Sequence, residues 1–153
     1  MRGLALLLAL GGFGLLTACD DESTTTADGG GGAPPQGETY AAGMAKATDA
    51  VTVVLVEAVP GPPIRGDSNV WTLALQDAEG APMDGCTIEV DPRMPAHGHG
   101  TTPVPVATPI EGETGMFEVR PLNLFMPGLW RVAVRPTCGS DTAEVFFEFW
   151  IES

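Results

Sequence analysis

Two kinds of side chain in this sequence can hold a borderline or soft metal ion: its two histidines and its methionines. Both histidines fall in one short run, Met94-Pro95-Ala96-His97-Gly98-His99-Gly100. His97 and His99 are two apart, a spacing that puts both imidazoles on one face of an extended segment. Paired imidazoles chelate divalent metals, and thioether donors from Met94 and Met126 would add affinity for Cu(I). Copper is therefore the cofactor to expect. The competing account is structural: the methionines fill core gaps, Gly98 and Gly100 shape turns, and His97 hydrogen-bonds the loop together. Glu89 and Asp91 lie nearby in sequence, with orientations the sequence leaves open.

Three cysteines carry the rest of the reactive chemistry. Leu16-Thr17-Ala18-Cys19 resembles a bacterial lipobox and assigns Cys19 to lipidation. Cys86 and Cys138 remain, and two cysteines in an exported chain most often pair, a two-thiolate metal site being the alternative. Catalysis is not expected. Ser23, Ser68, Ser140 and Ser153 lack the context of a nucleophile elbow, and two histidines fall short of the three protein ligands of a zinc hydrolase.

The elements that must position these residues read as strands. Gly and Pro are abundant, at 20 and 14 of 153 residues, and they punctuate short runs rich in β-branched and aromatic residues. Residues 50–57, 69–77, 86–90, 104–110, 116–120, 129–135 and 142–151 form seven such runs. Trp71, Leu73 and Leu75 share a face at period two, as do Cys86, Ile88 and Val90, and Ala143, Val145, Phe147, Phe149 and Ile151. The prolines Pro103, Pro105 and Pro109 confine the fourth run to a sheet edge. Seven strands at this spacing predict an all-β, immunoglobulin-like sandwich. Its third and sixth strands are then antiparallel neighbours. Cys86, at the start of one, lies beside Cys138, just past the end of the other. The opposite pole gathers His97, His99, Met94 and Met126.

The same segments resemble the YtkA-like family, relatives of the FixH proteins. The matching pieces are Met94-Pro95-Ala96-His97-Gly98-His99-Gly100, Gly115-Met116-Phe117-Glu118-Val119 and Phe125-Met126-Pro127-Gly128-Leu129-Trp130-Arg131-Val132. The resemblance implies an extracytoplasmic immunoglobulin-like sandwich. It also brings in the association of FixH relatives with a copper-transporting pump and with assembly of a haem–copper oxidase. This chain carries a lipid-anchor signal where FixH carries a transmembrane helix.

Upstream of the strands, residues 1–18 have a positive Arg2 and an apolar stretch too short to span a bilayer, as in a secretion signal. Residues 19–47 read as the lipidated Cys19 and a flexible Gly/Pro/Thr-rich tether, with Gly29 to Gly32 in one run. Residues 48–153 form the folded domain. The formal net charge is −13, and no basic patch exists to neutralise phosphate, so nucleic acid is excluded as a partner. The expected setting is the cell envelope, with a membrane anchor on the domain and a protein partner there. The reading is a binding domain for copper, or else an interaction module that docks through the Phe146/Trp150 face of its last strand.

Overall fold

Alternation of apolar and polar residues builds nearly every element of the computed structural model, which describes residues 37–153. The signal segment, Cys19 and most of the tether lie outside the described residues. Ten strands form: β1 (Met44–Ala47), β2 (Thr52–Val59), β3 (Gly66–Gln76), β4 (Cys86–Met94), β5 (His99–Gly100), β6 (Val106–Pro109), β7 (Met116–Leu124), β8 (Gly128–Cys138), β9 (Asp141–Thr142) and β10 (Val145–Ile151). One sheet has the order β1-β2-β3-β7-β6 and the other β10-β8-β4-β5, with β9 pairing β8. All pairs are antiparallel. The fold is the expected all-β sandwich of immunoglobulin type.

The core sits between the inner faces of the two sheets, where period-two alternation delivers apolar side chains. Trp71, Leu73 and Leu75 from β3 meet Trp130, Val132 and Val134 from β8 and Phe147, Phe149 and Ile151 from β10, all buried. Phe147 and Phe149 pack edge-to-face on Trp71, at centroid distances of 5.9 and 5.6 Å. The outer face of the β10-β8-β4 sheet carries ion pairs, Arg131 of β8 with Glu148 of β10, and Arg135 of β8 with Glu89 of β4 and with Glu144 just before β10. The Arg135 guanidinium is held above its ordinary pKa, chiefly by the hydrogen bond to Glu144 and with help from Glu89, against a smaller opposing effect of burial. β6 lies at the edge of its sheet, as expected for the proline-rich run that contains it.

The structure departs from the sequence reading in several places: β7 runs on to Leu124, the short β5 and β9 are added, and β9 takes Thr142 from the last run. The third run does not stop at Val90, because β4 continues through Pro92 to Met94. Pro92 pairs with Val132, and its carbonyl faces Gly100 on the β5 side. That side of β4 is paired only from Arg93 onward, so the missing N–H of Pro92 costs no ladder bond. Residues 37–47, placed by the sequence reading in the tether, include β1 and a segment that covers the open edge of β10. There the Glu38 N–H donates to Glu148 O at 2.6 Å, and the Glu148 N–H donates to Glu38 Oε2 at 3.1 Å. Glu38 also pairs with Lys46. Tyr40, the single tyrosine, packs edge-on against Phe149 and accepts a hydrogen bond from the Ala58 N–H at 2.8 Å.

β2 carries a bulge between Leu55 and Glu57. It shifts the alternation so that Ala58 faces inward and Glu57 outward.

Candidate metal centre

The pole opposite the disulfide is built by one hairpin and one loop. β4 ends at Met94, residues 95–98 turn, and β5 returns with Met94 opposite His99 and Arg93 opposite Gly100. The Met94 carbonyl accepts from the His97 N–H at 3.1 Å and the Gly98 N–H at 2.9 Å. Gly98 has φ +68°, a left-handed conformation that glycine supplies without strain. His97 therefore stands exposed on the crest of the turn, and His99 is half-buried on the returning strand. The imidazoles approach one another because the chain turns between them, not because an extended segment alternates.

Their ring centroids are 5.7 Å apart, with the planes tilted by 49°. Two imidazoles bound to one ion through N–metal bonds of roughly 2.0–2.1 Å place their centroids about 5–6 Å apart at angles near tetrahedral. The spacing fits a shared ion. His99 is also set up electronically. Its Nδ1 lies 3.0 Å from the Gly100 carbonyl oxygen. A carbonyl only accepts, so Nδ1 carries the hydrogen and the lone pair is left on Nε2. Ligating histidines characteristically donate their second ring N–H in this way.

An aromatic wall holds the His99 ring. Phe125 stacks on it at 5.3 Å with an interplanar angle of 22°. Trp130 meets it edge-on at 6.1 Å and meets Phe125 at 5.6 Å. The Trp130 indole N–H donates to the Met126 carbonyl at 2.9 Å. Met126 packs partly buried against the core. Met94 is 1% exposed, and its Cε lies against Gly128, only 2.9 Å from where a Cβ would stand. Its thioether is thus a buried floor under the pole. A cleft of about 540 Å³ opens beside His97, between Met94, Pro127 and Leu129 on one side and Trp150 and Ile151 on the other.

The two neighbouring carboxylates point elsewhere. Asp91 pairs with Arg93 at 2.8 Å and Glu89 with Arg135 at 2.9 Å, both on the outer sheet face. Among the described residues, no three or more His, Cys, Asp or Glu side chains gather where they could hold a metal ion. At this pole, then, donors beyond the two imidazoles would have to be thioethers. At the other pole Cys86 and Cys138 are register partners on β4 and β8 and form a disulfide. The thiolate-site alternative is closed by that bond.

Sequence reasoning missed Phe125 and Trp130 as parts of the site. Both lie in the Phe125-Met126-Pro127-Gly128-Leu129-Trp130 run, but they are five apart and outside any shared period, so alternation could not have paired them.

These features define an all-β immunoglobulin-type sandwich with one disulfide-closed pole and one pole of paired imidazoles backed by aromatic rings. The YtkA-like family matches residues 43–135, and the chain belongs to that family. No curated protein matches it. Among solved structures, it is similar to a copper-bound variant of FetP from uropathogenic Escherichia coli strain F11. That match has 12% identity over 72% of this chain and 90% of that one, with a TM-score of 0.49. The crystal structure of FetP as isolated, from the same strain and expressed in the periplasm, is similar at 12% identity over 74% and 95% of the two chains, with a TM-score of 0.48. Likeness at that level carries no argument about this site.

Proposed function

We propose that this chain is a lipid-anchored domain of the cell envelope, facing the periplasm, that binds copper at the His97–His99 pole and acts by binding rather than by catalysis. The observation that supports the reading is the pair of imidazoles with ring centroids 5.7 Å apart, one of them with its Nδ1 hydrogen engaged by Gly100 O, which leaves the lone pair on Nε2. His97 and His99 supply nitrogen donors. Met126, on the loop before β8, would supply the thioether suited to Cu(I). Met94, sealed beneath Gly128, backs the site from the core. Copper bound there would serve storage, delivery or sensing, since the site offers no general base and no third nitrogen donor to activate water.

The test is titration of the purified mature chain with Cu(I) and Cu(II), beside His97→Ala and Met126→Ala. Binding tighter than millimolar that both substitutions weaken supports the reading; binding indifferent to both sinks it. The anchor has a separate test: Cys19→Ala should move the protein from the membrane fraction to the soluble fraction.

A second reading rests on the exposed rings of Phe146 and Trp150, 40% and 38% accessible on the outer face of β10. That face would dock on an envelope protein without metal. Trp150→Ala would then abolish the function in cells while leaving copper binding as it was.

A further inference from the structure

The cleft beside His97 has a lining that the metal reading does not use. Trp150 and Leu129 are register partners across β10 and β8, and so are Ile151 and Gly128. Gly128 brings no side chain to this corner. The buried Met94 and Ile151, 1% and 0% exposed, are therefore reached as an apolar floor. Trp150 and Leu129 stand beside that floor as walls. The volume, about 540 Å³, lies within the roughly 300–1,000 Å³ range of small-molecule sites.

The charge of the cleft has one sign. Among the described residues, Glu152 is the only charged side chain that lines it, and Glu152 enters no ion pair. A second cleft of about 510 Å³ lies against the same Trp150 and Glu152 but also holds Arg65, so a cation of the chain already balances it. The cleft beside His97 thus combines an apolar floor, an aromatic wall and an uncompensated carboxylate, on a chain of net charge −13. An aromatic face attracts a cation, and the field of an acidic chain concentrates cations at its surface.

We propose that this cleft is a binding site for a small organic cation with an apolar body, such as a quaternary ammonium or a protonated arylalkylamine. The apolar body covers Met94, Leu129 and Ile151. The cationic head takes the Trp150 wall and the Glu152 carboxylate. A neutral apolar molecule would fill the same floor without satisfying the carboxylate, and an anion would be repelled by it. A bare metal ion would find one carboxylate and little else, because a hard cation needs several oxygen ligands. His99 and Met126 do not line the cleft, so the inference stands whether or not copper binds at the imidazole pair.

The experiment titrates the mature chain with three probes that share a benzyl body: benzyltrimethylammonium, benzyl alcohol and phenylacetate. Trp71 and Trp130 are fully buried, so Trp150 is the accessible indole and reports binding by its fluorescence. The cation should bind about tenfold more tightly than the alcohol, from its contact with the ring and the carboxylate, and phenylacetate should bind most weakly. Amide resonances of Leu129 and Ile151 should shift, and those of Ile64 and Arg65 should not. Glu152→Gln should weaken the cation by about fivefold and leave benzyl alcohol within about twofold, since only the charged head loses a partner. Trp150→Leu keeps an apolar wall and should likewise weaken the cation more than the alcohol. Both substitutions fall at exposed positions, so the fold survives them.

Equal affinity for the three probes overturns the proposal and makes the cleft a general apolar surface. Cation binding indifferent to Glu152→Gln, or shifts centred on Ile64 and Arg65, overturns it too. So does the absence of saturable benzyltrimethylammonium binding below about 10 mM, the affinity that a ligand of this size reaches at modest efficiency.

Discussion

Replacing both Cys86 and Cys138 by alanine removes the one covalent link between β4 and β8. The sulfurs join residues 52 apart in sequence. In the chain-entropy account, closing a loop of that length restricts the denatured ensemble by about 4 kcal/mol at 25 °C. Little native-state loss adds to this. The two residues are already register partners in a continuous antiparallel ladder, so the backbone bonds that place them persist. A domain of this size has about 5–15 kcal/mol in total, so the double variant should fold but sit close to its limit. The assay is urea unfolding at 25 °C, followed by tryptophan fluorescence from the buried Trp71 and Trp130. With a slope of roughly 2 kcal/mol per molar, the midpoint should fall by about 2 M. The histidine pole should be untouched, because Cys86 and Met94 lie at opposite ends of β4, about 26 Å apart at roughly 3.3 Å per residue. A loss below about 1 kcal/mol would refute the reasoning, since it would mean the denatured chain already holds these strands together. Disturbed His97 and His99 resonances in the double variant would refute the claim that the two poles are independent.

Two further outcomes follow from single side chains. Asn69 is fully buried, accepts from the Ile64 N–H at 2.8 Å and donates to Ile64 O, Gly66 O and Leu122 O at 2.7, 3.1 and 3.2 Å. Asn69→Ala orphans these groups and should cost about 3 kcal/mol in chemical denaturation, since each buried unsatisfied group costs about 1–3 kcal/mol. Gly128→Ala places a Cβ at φ +125° and 2.9 Å from Met94 Cε. The methionine methyl can shift, so the strained backbone dominates, and calorimetry should register a loss of about 1–3 kcal/mol.

Much of the sandwich was legible because its strands are buried on one face only. Period-two alternation marks such strands directly, and β3, β8 and β10 carry it almost without interruption. The placement of Cys86 beside Cys138 followed once the third and sixth strands were taken as neighbours. Less legible were elements whose stability is borrowed. β1 is four residues long and has no apolar run of its own. It exists because it pairs with β2, with Tyr40 and Glu38 anchoring the segment before it. β5 has only two residues, and nothing in a two-residue strand rises above a loop. The extension of β4 through Pro92 was hidden because a proline ends a strand only when its nitrogen faces a partner.

The candidate site divides along the same line. The sequence by itself determined which donor types exist, that both histidines fall in one Gly- and Pro-rich run, and that this run lies at the pole away from the cysteines. The first two are properties of composition and spacing, which are local; the third followed from the alternation once the third and sixth strands were taken as neighbours. Only the tertiary structure decided that Asp91 and Glu89 face the arginines of the outer sheet, that the Met94 thioether is sealed under Gly128, and that Phe125 and Trp130 wall the His99 ring. Each depends on which side chain meets which across a turn or between strands, and residues far apart in the chain make those contacts only after the two sheets have closed on a shared core.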